Sequence, residues 1–231
     1  MKTLRLATAL FLLVFGGLLF ATAPSIAGGS NDLTGFLDRA EQMGTPNRPV
    51  RADITVGGTS PDKSKLVLIL DPASKRQLLY VVADGSRTTG PLTWPGGAEN
   101  EKLDAKIAGT DLRMMEWFPF WKTDYSKAFI SDENRTEKTV SLYMADDIPY
   151  ELVVVSFDKT KLVPTLVKYF QGSFSNMVRI RTDSDHVMVA ARPRPTKIRV
   201  QDYTENTTVE YTLAWTELEE APANLETWKP E

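Results

Sequence analysis

The chain has 231 residues, with 27 basic and 30 acidic side chains, one histidine and no cysteine. This mildly acidic balance, without a basic stripe, argues against binding to nucleic acid or to an anionic membrane surface. The lack of cysteine excludes disulfides and thiol nucleophiles, and a single histidine excludes a metal site built from several histidines.

The first 27 residues have the pattern of an export signal. A positively charged start precedes the apolar stretch 7–20, and Ser25-Ile26-Ala27 has the small-x-small pattern of a cleavage site. The apolar stretch is short for a bilayer span, which needs about 20 residues. We therefore expect a signal peptide cleaved after Ala27, a periplasmic location, and a mature chain, residues 28–231, that forms a single domain.

One amphipathic helix is predicted directly after the signal. Ser30 and Asn31 are candidate caps at its start, and Gly44 ends it. The narrow apolar stripe indicates packing on one face of a sheet, and it consists of Leu33, Phe36, Leu37 and Ala40.

Strand patterns dominate the rest of the chain. Short apolar runs at a spacing of about ten residues, separated by polar turns, are typical of a sandwich or a barrel and not of a parallel α/β sheet. The strands are predicted at 51–57, 66–70, 78–82, 88–94, 139–144, 151–157, 163–170, 176–182, 187–192, 196–203 and 208–216.

Several of these strands carry apolar side chains on both faces. An antiparallel sheet with one face in water needs only one apolar face, so the extra surface needs a cover: a second sheet, a helix or an apolar ligand. In the run 151–157, the side chains predicted to face inward are Val153, Val155 and Phe157. In the run 208–216, which alternates most regularly, they are Val209, Tyr211, Leu213 and Trp215.

The middle of the chain is rich in aromatic residues and lacks a strand period. A helix start is predicted at 109–111, with about two helical turns before Pro119. Two interpretations stay open, in which the segment plugs one end of the core or forms a lid over an apolar cavity. The candidate lid residues are Met114, Trp117, Phe118, Phe120 and Trp121, followed by Tyr125 and Phe129.

Few residues are suited to catalysis. His186 follows Asp183-Ser184-Asp185 in an apparent hairpin turn, and the sequence has no G-x-S-x-G nucleophile elbow. Asp183, Asp185 and Asp202 lack the loop glycine and distal glutamate of a calcium loop. A pair of carboxylates from distant strands stays open as a glycosidase-type site, but no spacing favours a specific pair. A binding or carrier protein without a cofactor is favoured over an enzyme.

Three stretches, in this order and behind an export signal, resemble one known family. They are GTDL at 109–112, DKTKLVP at 158–164 with KYF at 168–170 ahead of MVRIR at 177–181, and RPTKI at 194–198 followed by 207–215. These stretches are similar to segments of the outer-membrane lipoprotein-sorting protein family, the periplasmic carriers of the LolA/LolB-like superfamily. The likeness covers about residues 30–217.

The resemblance implies a mainly β fold: an incomplete, half-open antiparallel β-barrel, here of about eleven strands, with an N-terminal helix and a short helical lid. It implies an apolar cavity that holds the acyl chains of a lipid or lipoprotein, without a chemical step. It also implies transfer from an inner-membrane lipid exporter, of the RND/MMPL-like or ABC type, to an outer-membrane acceptor. We expect a monomer. The family's lid-controlling arginine has no specific match, Arg51 and Arg76 being nearest.

Two other classes of function stay open. A periplasmic sensor can use the same half-barrel to bind a membrane signalling partner, although such regulators usually carry a second domain. An enzyme acting on lipid or glycan through acidic residues would lose its rate when one carboxylate becomes an amide.

Overall fold

The computed structural model describes residues 29–58, 65–73, 76–82, 87–93, 125–144, 149–225 and 227–230. These residues form one helix, α1 (Gly29–Gly44), and eleven strands. The strands are β1 (Val50–Gly58), β2 (Lys65–Asp71), β3 (Arg76–Val81), β4 (Arg87–Thr93), β5 (Tyr125–Glu133), β6 (Glu137–Met144), β7 (Leu152–Asp158), β8 (Val163–Phe170), β9 (Met177–Val189), β10 (Arg192–Asp202) and β11 (Thr207–Glu217).

Two predicted features lie outside the described residues. One is the signal peptide at 1–27 with its cleavage site. The other is the lid, with the candidate residues Met114, Trp117, Phe118, Phe120 and Trp121. In the described part of the chain, α1 is too short and too polar to cross a membrane, and no other helix could do so.

All eleven strands belong to a single antiparallel sheet. Their order is β4-β3-β2-β1-β11-β10-β9-β8-β7-β6-β5. Strand β1 lies in the interior of the sheet, and β2 to β4 follow it in order to one edge. Strand β5 forms the other edge, and β6 to β11 lead back from it until β11 pairs with β1. Among the described residues, β4 and β5 do not pair with each other, so the sheet stays open. The predicted mainly β, incomplete barrel is confirmed.

Strand register gives this sheet one continuous inner face. Residues directly opposite each other in paired strands point to the same side. From β6 to β11 the inward residues, each paired with the next, are Val140, Val155, Val167, Arg181, Val200 and Val209.

Helix α1 packs on this inner face, as the narrow stripe predicted. Its four stripe residues are 6% exposed or less. The ring of Phe36 meets that of Phe157 on β7 edge to face, with ring centroids 5.3 Å apart. The helix begins at Gly29, so Ser30 and Asn31 lie in its first turn and do not precede it as caps.

The outer face of β2 and β3 is covered by the C-terminal tail, residues 218–225 and 227–230. The rings of Tyr80 on β3 and Trp228 in the tail meet edge to face at 6.2 Å. An open pocket of about 460 Å³ lies between the tail and β2, beside Ile69. This cover explains why both strands are apolar on both faces; the buried residues that share it are Val67, Ile69, Leu78, Tyr80 and Leu225.

The predicted turn at Asp183-Ser184-Asp185 is wrong. Strand β9 continues through it to Val189, because Asp183 points inward and is neutralised by Arg181. The chain turns instead at Ala190 and Ala191, whose φ angles are 48° and 57°. Positive φ at both central residues is typical of Asn-Gly turns, so an Ala-Ala pair gives no sequence signal for one.

The sequence pattern did not predict strand β5. Tyr125 and Phe129, assigned to the aromatic lid segment, lie on this strand. Its pairing with β6 shifts register twice, next to Tyr125 and next to Ile130, and each shift breaks the period-two pattern. The predicted total of eleven strands still agrees, because the single strand β9 replaces two predicted strands.

Candidate functional site on the inner face

The inner face carries two apolar clusters. The first, here called the β7 cluster, lies under α1, and its sheet residues are Val140, Leu142, Met144, Tyr150, Val153, Val155, Phe157, Val167, Tyr169 and Val178. The second, the β11 cluster, consists of Val50, Ala52, Ile54, Val56, Leu66, Leu68, Leu70, Leu79, Val189, Ala190, Ile198, Val200, Val209, Tyr211 and Leu213.

The residues predicted to face inward do so, but they divide between the two clusters. Val153, Val155 and Phe157 belong to the β7 cluster. Tyr211 and Leu213 belong to the β11 cluster, and the partly buried ring of Trp215 packs against it. Sequence periodicity correctly predicted that these residues point to the inner face of the sheet. Which of the two clusters each residue joins depends on the order of the strands.

A charged band on β9 and β10 separates the clusters. Arg179 Nη2 lies 2.6 Å from Asp202 Oδ2. Arg181 donates from Nε and Nη2 to the two carboxylate oxygens of Asp183, at 2.6 and 2.7 Å. All four side chains are 5% exposed or less. Charges removed from water in this way are stable only when paired, so each arginine depends on its acid.

Sequence analysis missed the charged band. Its signal was Arg179, Arg181 and Asp183 at alternate positions, all on the inward parity of β9. Treating Asp183 as part of a turn concealed this alternation. The partner Asp202 is 23 residues away along the chain from Arg179, and only the β9–β10 register brings them together.

Hydrogen bonds and charge favour the ionised forms of Arg181 and Asp202 despite their burial. Burial acts to lower the pKa of Arg181, but the charge and hydrogen bonds of Asp183 outweigh it, and the pKa lies above its ordinary value. Burial acts to raise the pKa of Asp202. Bonds from Thr204 and Glu205, with the charge of Arg179, outweigh this effect and hold that pKa below its ordinary value.

The residues considered for catalysis or calcium binding have other partners. Asp183 and Asp202 belong to the charged band, and the exposed Asp185 pairs with Lys197 at 2.6 Å. Burial lowers the pKa of His186, against the charge of Asp183, so this imidazole is neutral at neutral pH. Each of the three carboxylates is thus bound to a cationic side chain.

Two inward arginines at the start of β10 hold the end of α1. Arg194 Nη1 donates to the carbonyl of Gly44 at 2.8 Å, and Arg192 Nε donates to that of Thr45 at 3.0 Å. Carbonyls at a helix C-terminus lack intrahelical partners and attract cations. The guanidinium carbon of Arg194 also lies 5.6 Å from the ring centroid of Trp215. This pair therefore joins the helix end to the β11 cluster.

No protein-family model matches the sequence, and a comparison with curated proteins gives no match. Solved structures do share the fold. A putative outer membrane lipoprotein-sorting protein domain from Vibrio parahaemolyticus aligns with a TM-score of 0.65 at 10% identity, over 82% of this chain and 93% of that one. A LolA superfamily protein from Nitrosomonas europaea aligns with a TM-score of 0.60 at 12% identity, over 84% and 97%.

A third structure, of a DUF1329 family protein from Desulfovibrio piger, aligns with a TM-score of 0.57 at 12% identity, over 83% of this chain and 94% of that one. This chain thus shares its overall fold with all three structures. This chain has the fold of the LolA superfamily and of the outer-membrane lipoprotein-sorting domain. The resemblance noted in the sequence is therefore confirmed for the fold.

Proposed function

We propose that the protein is a periplasmic carrier that shields the acyl chains of a lipid or lipoprotein, without a chemical step. The donor is an inner-membrane lipid exporter and the acceptor lies at the outer membrane. One observation carries the proposal: the β7 cluster, one of the two apolar clusters on the inner face, is covered by the helix α1 and not by another strand. The shared fold with lipoprotein-sorting proteins supports it.

The free energies of burial are compatible with an acyl chain displacing α1 from the sheet. A buried methylene contributes about 0.8 kcal/mol, so a sixteen-carbon chain gains about 12 kcal/mol on leaving water. Burying Leu33, Phe36 and Leu37 of α1 contributes about 5–9 kcal/mol at 1.5–3 kcal/mol each. A chain that displaces the helix would thus keep a few kcal/mol, which is enough to bind and still permits release.

Lipid content tests the carrier proposal directly. We expect the mature protein, purified from the periplasm and extracted with organic solvent, to yield a reproducible lipid, and the stripped protein to take up labelled lipid from vesicles. Protein that carries no lipid and takes none up would refute the proposal.

A weakened cover should speed lipid exchange. Phe36→Ala removes the helix ring that meets Phe157, and we expect transfer between vesicles to rise about tenfold, because closing the face loses about 1.4 kcal/mol or more. Arg39→Ala, on the exposed side of the same helix, is the matched control and should transfer at the wild-type rate. Equal rates in wild type and Phe36→Ala would show that α1 does not limit exchange.

A further inference from the structure

Arg194 is a buried cation with an unused edge. The residue is 8% exposed, and among the described residues only Nη1 has an acceptor, the Gly44 carbonyl. Nε and Nη2 are buried and have no hydrogen-bond acceptor among the described residues. These two N–H groups form the fork that matches two oxygens of a carboxylate or phosphate. Buried charged donors are rarely left unpaired, so this edge indicates a place for an acceptor.

Two other inward-facing arginines bind a carboxylate through the same Nε and Nη2 groups. Arg181 places Nε and Nη2 on the two oxygens of Asp183. Arg179 places Nε and Nη2 on one oxygen of Asp202, at 2.7 and 2.6 Å. Arg194 faces the same side of the sheet without such a carboxylate. The missing acceptor is therefore a group that the described part of the chain does not supply.

The local charge also favours an anion. Arg192 lies two positions away on the same inward parity, and among the described residues it donates to the Thr45 carbonyl and to the sulfur of Met43, which carry no net charge. Burial, with the nearby charge of Arg192, lowers the pKa of Arg194 to about 10, so the guanidinium stays charged at neutral pH. In the described part of the chain, these two neighbouring cations hydrogen-bond only to neutral groups, so an anion would relieve their repulsion.

The apolar side chains near Arg194 favour an anion that is part of a lipid. The ring of Trp215 contacts the guanidinium of Arg194 and also packs against the β11 cluster. An anion bound at the free edge therefore lies next to a wall of apolar side chains. We propose that Arg194 binds the phosphate group of a lipid carried on the inner face, an inference that rests on the proposed carrier function.

Two lipids with identical acyl chains test this assignment. Pyrene-labelled phosphatidic acid carries the phosphate, and pyrene-labelled diacylglycerol lacks it. We expect the mature wild-type protein to bind phosphatidic acid about tenfold more tightly or better. Arg194→Met should abolish this preference. Arg199→Met, an exposed arginine on the outward side of β10, is the matched control and should keep the preference.

Because Arg194 also donates to the end of α1, a second and more conservative variant separates loss of the fork from loss of folding. Arg194→Lys keeps the charge and a donor for Gly44 but has no fork, and we expect it to lose most of the preference. If neither variant folds, the wild type decides. Equal wild-type affinity for the two lipids overturns the inference, and so does a preference that survives in Arg194→Met.

Inorganic phosphate separates this inference from the carrier function. Wild-type protein that binds neither lipid but binds inorganic phosphate, with loss in Arg194→Met, would refute the carrier and retain the anion site. Binding of both lipids with equal affinity would retain the carrier and refute the site. Binding of no probe would refute both.

Discussion

Replacing Asp202 by asparagine is expected to lower the free energy of unfolding by about 3–5 kcal/mol, because it removes the carboxylate from a buried ion pair. Arg179 would remain in the interior, 2.6 Å from a neutral amide. The other oxygen of Asp202 accepts bonds from Thr204 and from the Glu205 N–H at the β10–β11 turn, so the turn also loses charge-assisted bonds. Urea unfolding followed by circular dichroism measures the loss.

Asp185→Asn is the matched control for this substitution. It breaks an ion pair of the same length, 2.6 Å to Lys197, whose side chains are 64% and 57% exposed. Exposed pairs contribute little, so we expect a loss of less than about 1 kcal/mol. Similar small losses in both variants would show that the charged band is open to water.

The dependence on pH provides a second measurement of the same pair. The pKa of Asp202 is lower in the folded protein than its ordinary value. Its contribution to stability is therefore complete above about pH 4 and is lost as the pH falls through the folded pKa. Between pH 6 and pH 3, wild-type protein should lose more stability than Asp202→Asn, which has no carboxylate to titrate at this position.

Local periodicity was enough to predict most of the fold. The stripe of α1 and the inward parity of β7 and β11 follow from side chains three to four, or two, positions apart, and the structure agrees with each. The short strands predicted a sandwich or a barrel, and the family resemblance alone implied the open form. The helix stripe and the strand parity depend on neighbours in the sequence, which is why a single chain reveals them.

Features that depend on distant partners were not predicted. The β9–β10 turn uses alanines with positive φ, held because the Asn47 N–H donates to the Ala190 carbonyl and the Glu217 carboxylate accepts from the Ala190 N–H. The tail over β2 and β3 answers the question of what covers their second face, yet Trp228 carries no periodic signal. The free edge of Arg194 becomes visible only once its surroundings are known.

Phe157→Ala is expected to lower the free energy of unfolding by about 3–5 kcal/mol, because it leaves a cavity at the centre of the β7 cluster. The Phe157 ring is fully buried, and the ring of Phe36 meets it edge to face. Val154→Ala, on the opposite face of the same strand and only partly buried, is the control and should cost about 1 kcal/mol. Chemical unfolding of both variants measures the difference.

A double-mutant cycle then separates the helix contact from the rest of the cavity. If α1 rests on Phe157, the loss in Phe36→Ala/Phe157→Ala should fall short of the sum of the single losses by about 0.5–1.5 kcal/mol, the coupling expected of an edge-to-face pair. Losses that simply add would mean that the helix does not depend on this ring. The proposed exchange of α1 for an acyl chain would then lose the support of this contact, the edge-to-face pair through which the helix packs on the β7 cluster.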